Sequence, residues 1–151
     1  MVLAPVILVA WAVAAIAAAA AVILPFATLL PLVILAAGFE SLFALHTNVE
    51  RIGRYLQAFH EDRGGWEHVA MEFGRRFPGG GPDPLFGRLF LVAVAINYLP
   101  AAVAGTPVEL GVLALLHLLL VIRIHGARRA AATQRAVDLE RFSSLRSGFR
   151  S

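Results

Sequence analysis

The sequence predicts an all-α integral membrane protein: a four-helix bundle of two helical hairpins, with a cytoplasmic extension of the second helix, an interfacial amphipathic helix and a C-terminal cytoplasmic helix. Three observations carry that prediction. Of 151 residues, 59% are hydrophobic and only 15% charged, whereas a soluble domain is roughly half apolar and about a quarter charged. Four apolar runs reach the ~20 residues needed to cross the hydrocarbon core. The ionisable residues are also unevenly placed: no Asp, Glu, Lys or Arg precedes Glu40. The 13 basic residues, all Arg, lie in or at the edge of the stretch between the second and third runs, or from the end of the fourth onward.

The first run, about 2–24, is apolar throughout and rich in Ala. Its Ala-x-Ala triplets resemble signal-peptide cleavage sites, but it has no basic leading segment and exceeds the about 7–15 apolar residues of a signal peptide, so it reads as a span. Its segment AVAAIAAAAAV, residues 12–22, offers a small-residue face on which another helix can pack closely. Pro25 and Pro31 bracket a tight connection to the second span, about 29–48, with Pro31 suited to a first helical turn. No Pro follows until residue 78, so one helix can continue from the second span to about Asp62. The third span, about 85–104, and the fourth, about 107–126, are joined through Pro100, Gly105 and Pro107.

Both short connections are almost uncharged. The positive-inside rule therefore places 49–84, 127–151 and both termini in the cytoplasm. Residues 1–126 form the transmembrane domain, including a cytoplasmic helical insertion over 49–84, and 127–151 form a cytoplasmic helix with a frayed tail. The use of Arg without Lys, with abundant Ala, Gly and Val, reflects a GC-rich genome rather than a function, and the expected location is a bacterial inner membrane. The expected partners are the lipid bilayer and either other membrane subunits or further copies of the chain. A net charge of +3 divided between two segments excludes a nucleic-acid binder, which needs a basic face on a folded module. The absence of Cys removes disulfides, thiolate metal sites and cysteine nucleophiles.

Within the second span stands Glu40. Counted from Leu29 it is roughly 16 Å deep at 1.5 Å per residue, where an acid costs about 2.5–3.5 kcal/mol on insertion scales. It should therefore face the bundle interior, be protonated or have a partner. The same count puts His117 of the fourth span at roughly 15 Å, and Asn97 of the third about 10 Å below the outer surface. Glu40, His117 and Asn97 thus form the expected intramembrane polar cluster. A second cluster, His46, Glu50, Arg88, Arg123 and His125, gathers at the cytoplasmic boundary, with Arg123 expected to snorkel to the interface.

Two His-x-x-x-Glu sequences, HTNVE (His46, Glu50) and HVAME (His68, Glu72), could each offer an imidazole and a carboxylate from one helix face to a metal. Neither has the Glu-x-x-His spacing of di-iron bundles. His46 and His125 on different spans could supply axial imidazoles to haem. The segment WEHVAMEFGRRF, 66–77, sets Trp66, Val69, Ala70, Phe73 and Phe77 opposite His68, Glu72, Arg75 and Arg76, the pattern of a helix at a membrane surface or capping the bundle. No nucleophile elbow, catalytic triad or phosphate loop is present. The expectation is a non-catalytic accessory or assembly subunit of a larger membrane complex, with no cofactor. The alternatives are a homo-oligomeric proton-coupled transporter using Glu40 and His117, and a redox or lipid-modifying enzyme with a haem or non-haem metal site.

Overall fold

A computed structural model describes residues 3–21, 25–62, 64–77 and 85–149. Among the described residues there is no strand. The elements are α1 (Leu3–Ala21), a 3-10 turn (Pro25–Thr28), α2 (Leu29–Phe59), α3 (Trp66–Arg76), α4 (Gly87–Ala104) and α5 (Pro107–Gly148). Helices α2, α4 and α5 are long and apolar enough to cross a membrane. Helix α1 is apolar throughout its 19 residues. Residues 22–24, the expected end of the first span, fall outside the described part.

Two boundaries differ from the sequence expectation. The fourth span and the C-terminal helix are one element, α5, of 42 residues. The junction sequence ARRAAATQRA, 127–136, consists mostly of strong helix formers and holds no Pro or Gly, so nothing local ends the helix there. Pro100, expected to bracket a connection, lies inside α4. The helix closes four residues later, where the Gly105 N–H donates to Ala101 O at 2.8 Å. A membrane helix tolerates such a Pro because neighbouring groups can satisfy the carbonyl it frees.

The chain divides into two compact units, Met1–Phe43 with Leu85–Ala127 and Ala44–Pro84 with Arg128–Ser151. In the first unit, Leu32, Leu35, Phe39 and Leu42 form the buried stripe of α2, at the spacing that keeps one helix face inward. Phe39 and Phe90 are completely buried and meet edge to face, centroids 5.2 Å apart, a contact of about 0.5–1.5 kcal/mol beyond its area. Leu120, Ile124 and Ala127 of α5 complete this core. The outward faces stay apolar, with Val9, Val13 and Ile16 of α1 and Leu115, Leu119 and Ile122 of α5 exposed.

The closest helix approach described lies at Gly38 of α2, where a Cβ would collide with the Ile7 side chain of α1. Half of the Ala-rich segment, 18–22, lies outside the described side chains. At the start of α4, Phe86 holds a left-handed backbone, φ 49°. Such a conformation is uncommon for a side chain of this size, and Phe86 is fixed by packing on the core.

In the second unit, α2 and α5 run parallel. Glu50 meets Arg135, Arg51 meets Asp138 and the Ala58 carbonyl meets Arg146, so contacts advance together along both helices. Tyr55 and Phe59 pack on Phe142 with ring centroids 5.8 and 6.4 Å apart. Helix α3 turns back along α2 and buries none of its residues.

Replacing Gly38 with Leu is expected to separate α1 from α2 at a destabilisation of about 1–3 kcal/mol. A lowered thermal midpoint of the detergent-solubilised protein, set against Ala37→Leu at the neighbouring exposed position, checks it.

Candidate functional site

The polar side chains of the first unit fall into two groups. One centres on Asn97, buried at 4% exposure on α4. Its Oδ1 accepts the Trp11 indole N–H at 3.3 Å. Its amide nitrogen donates to the Thr28 carbonyl at 3.0 Å and lies 3.1 Å from His117 Nε2. His117 Nδ1 lies 2.8 Å from the Leu113 carbonyl. A carbonyl only accepts, so Nδ1 carries the imidazole proton and Nε2 accepts from Asn97. Tyr98 meets the His117 ring edge-on, centroids 5.1 Å apart, and its hydroxyl reaches Leu110 O at 3.4 Å. One carboxamide thus joins α1, the 3-10 turn, α4 and α5 with its donors and acceptor in use.

The second group is an ion pair. Arg123 Nε lies 2.7 Å from Glu40 Oε1, and Nη2 donates to Oε2 at 2.8 Å. This two-pronged geometry is the strongest form of carboxylate recognition by arginine. The guanidinium also lies over the Phe43 ring at 4.4 Å, a cation–π contact. The Glu40 side chain keeps 48% of its surface exposed and Arg123 35%.

The expected cluster of Glu40, His117 and Asn97 is therefore only partly assembled. Asn97 and His117 meet, whereas both Glu40 oxygens are held by Arg123. The reason is register. Asn97 binds Thr28, the residue before α2, and also His117, which lies more than two turns into α5. The first residues of α2 and α5 are offset by about ten residues, roughly 15 Å, so counting depth from each helix start misaligned them. Glu40 and Arg123 instead lie about one turn from Phe43 and Ala127, where α2 and α5 leave the first unit. Arg123 turns to the carboxylate rather than outward to an interface.

The expected boundary cluster is divided between the units. Arg88, Arg123 and His125 belong to the first, and His46 and Glu50 to the second. Arg88 is exposed on the first turn of α4, and His125 Nδ1 donates to Val121 O at 2.9 Å. His46 is half-buried on α2. Glu50 lies 2.7 Å from Arg135 Nε and 3.9 Å from Arg54 Nη2, so its charge is matched by cations. Of the other His-x-x-x-Glu pair, Glu72 receives both its hydrogen bonds from Arg75, at 3.1 and 2.8 Å. Those bonds hold its carboxyl below the usual carboxylate range. His68 Nδ1 lies 3.5 Å from Glu61 instead. Among the described residues, no three His, Asp or Glu side chains are grouped to hold a metal ion.

Two features went unread in the sequence. Trp11 carries an indole N–H that must find an acceptor once buried in an apolar setting, and it is the only such donor side chain in the described part of α1. In the second unit, Arg54 is 4% exposed and donates to Gln57 at 2.9 Å and Glu67 at 2.7 Å, with Met71 also against it.

No protein-family profile, curated protein or solved structure matches the chain.

Replacing Asn97 with Leu leaves the Trp11 N–H, the Thr28 carbonyl and His117 Nε2 without their partner. The expected loss is about 1–3 kcal/mol for each group that stays unsatisfied. Thermal unfolding together with a shift in Trp11 fluorescence, in a Trp66→Phe background, measures it.

Proposed function

We propose that this chain is a non-catalytic accessory or assembly subunit of a larger membrane complex, crossing the bacterial inner membrane four times with both termini in the cytoplasm. On this reading α1, α2, α4 and α5 are the four spans of a bundle. The second unit is the cytoplasmic part, as its concentration of Arg requires.

The observation that carries the proposal is the orientation of α3. Two of its polar residues face the rest of the unit: Glu67 pairs with Arg54 at 2.7 Å, the Glu67 N–H donates to Glu61 at 2.9 Å, and His68 sits beside Glu61. Trp66 at 76% exposure, Val69, Phe73 and Phe77 point away. A soluble helix does the reverse. An apolar strip displayed outward while Glu67 is spent inward on Arg54 marks an interaction surface. Because its polar side is committed to α2, the strip is set along the flank of that helix, where a neighbouring subunit can cover it. The chemistry of the first unit agrees, since its buried polar groups are engaged in holding helices together. The Glu40 and His117 pairing that a proton-coupled carrier would use is not made.

Two measurements test this. The chain has no Cys, so single cysteines report topology. A Thr106→Cys variant should react with an impermeant maleimide added to intact spheroplasts, and a Ser144→Cys variant only after permeabilisation. The opposite pattern overturns the orientation. In native gels of mild-detergent extracts, the wild type should migrate in an assembly larger than its own oligomers. The Trp66→Glu, Phe73→Glu double variant should insert normally but migrate alone, and unchanged migration would remove the strip from the proposal.

A further inference from the structure

We infer that the open cavity of the second unit, about 650 Å³ in volume, is a binding site for the phosphoryl group of a small molecule or lipid. Its size falls within the roughly 300–1,000 Å³ of small-molecule sites. Gln57 of α2, His68 of α3 and Arg146, Ser143 and Leu139 of α5 contribute to its wall, so three helices converge on it.

The wall carries N–H groups that have no acceptor among the described residues. Gln57 is buried at 8% exposure. Its Oε1 accepts from Arg54 at 2.9 Å, and its amide N–H groups have no acceptor among the described residues. A bound acceptor in the cavity would engage them. Arg146 spends Nη1 on the Ala58 carbonyl at 2.6 Å. No carboxylate is paired with it among the described residues, so its other guanidinium N–H groups remain available.

His68 Nδ1 is buried without a hydrogen bond, 3.5 Å from Glu61. Glu61 itself accepts the Glu67 N–H, at 2.9 and 3.2 Å. The Ser143 hydroxyl gives its proton to Leu139 O at 2.8 Å. It therefore offers lone pairs to a ligand hydroxyl rather than a proton to an anion.

A guanidinium, a carboxamide and an imidazole around one cavity match the several oxygens of a phosphoryl group, and the arginine supplies the fixed positive charge. Leu139 and Ala58 provide an apolar surface for the part of the molecule that carries it. This inference does not depend on the accessory-subunit proposal, because it needs only the second unit to be folded.

The test uses the full-length chain in detergent, with inorganic phosphate as probe and phosphorus NMR line broadening as readout. Saturable broadening is expected. Arg146→Gln should weaken it at least tenfold, Arg146→Lys should restore part of it, and Arg141→Gln, an exposed cation on the same helix, should leave it unchanged. Ser143→Leu fills the cavity without touching a charge and should also abolish binding; circular dichroism confirms that each variant is folded. A second arm repeats the series in nanodiscs with and without phosphatidic acid. Binding that depends on Arg146 only with the lipid identifies a headgroup as the source, and binding of free phosphate identifies a soluble one. The inference is overturned if neither arm shows saturable binding, if Arg141→Gln loses as much as Arg146→Gln, or if Ser143→Leu binds as the wild type does.

Discussion

Asn97 is the point on which the first unit depends. A carboxamide has two N–H donors and one oxygen acceptor. Here they serve Thr28, His117 and Trp11, which belong to three different parts of the chain. Apolar contacts alone give helices in lipid little reason to prefer one vertical alignment over another, because acyl chains are as apolar as leucine. A directional bond fixes the alignment, though each such bond is modest, averaging about 0.6 kcal/mol in membrane helices. Their joint effect within the first unit is register: the residue before α2 is tied to the third turn of α5.

The same tie explains what could be read from the sequence and what could not. Long apolar helices were legible because composition and run length report them directly. So was the continuation of α2 beyond the apolar stretch, since no Pro interrupts it. Asn97 and His117 were legible as interior residues because polar groups in such helices need partners. The partner of Glu40 was not. Choosing between His117 and Arg123 required the relative height of α2 and α5, and one backbone carbonyl, that of Thr28, sets that height. A carbonyl carries no sequence signature.

The second unit shows a different limit. The pattern of α3 was plain, with aromatics on one face and charges on the other, and the faces lie where periodicity put them. Which face turns inward was not, since amphipathicity gives two faces and says nothing of which is covered. Arg54 decides it. Buried beside Gln57, Glu67 and Glu50, it draws the acidic side of α3 toward α2, because breaking one partner from a buried ion pair costs about 3–5 kcal/mol. The His-x-x-x-Glu spacings failed as metal signals for a related reason. Abundant arginine claims each carboxylate first: Glu50 goes to Arg135, and Glu72 to Arg75.

The outward aromatic strip of α3 also bears on how much of the protein a cell can hold. On the accessory-subunit proposal, copies made beyond the supply of companions would carry Trp66, Phe73 and Phe77 bare into water. Proteases and holdase chaperones survey for such greasy segments, and they act on the exposed population. Abundance would then track the synthesis of the larger assembly, and surplus chains would be short-lived even though correctly inserted.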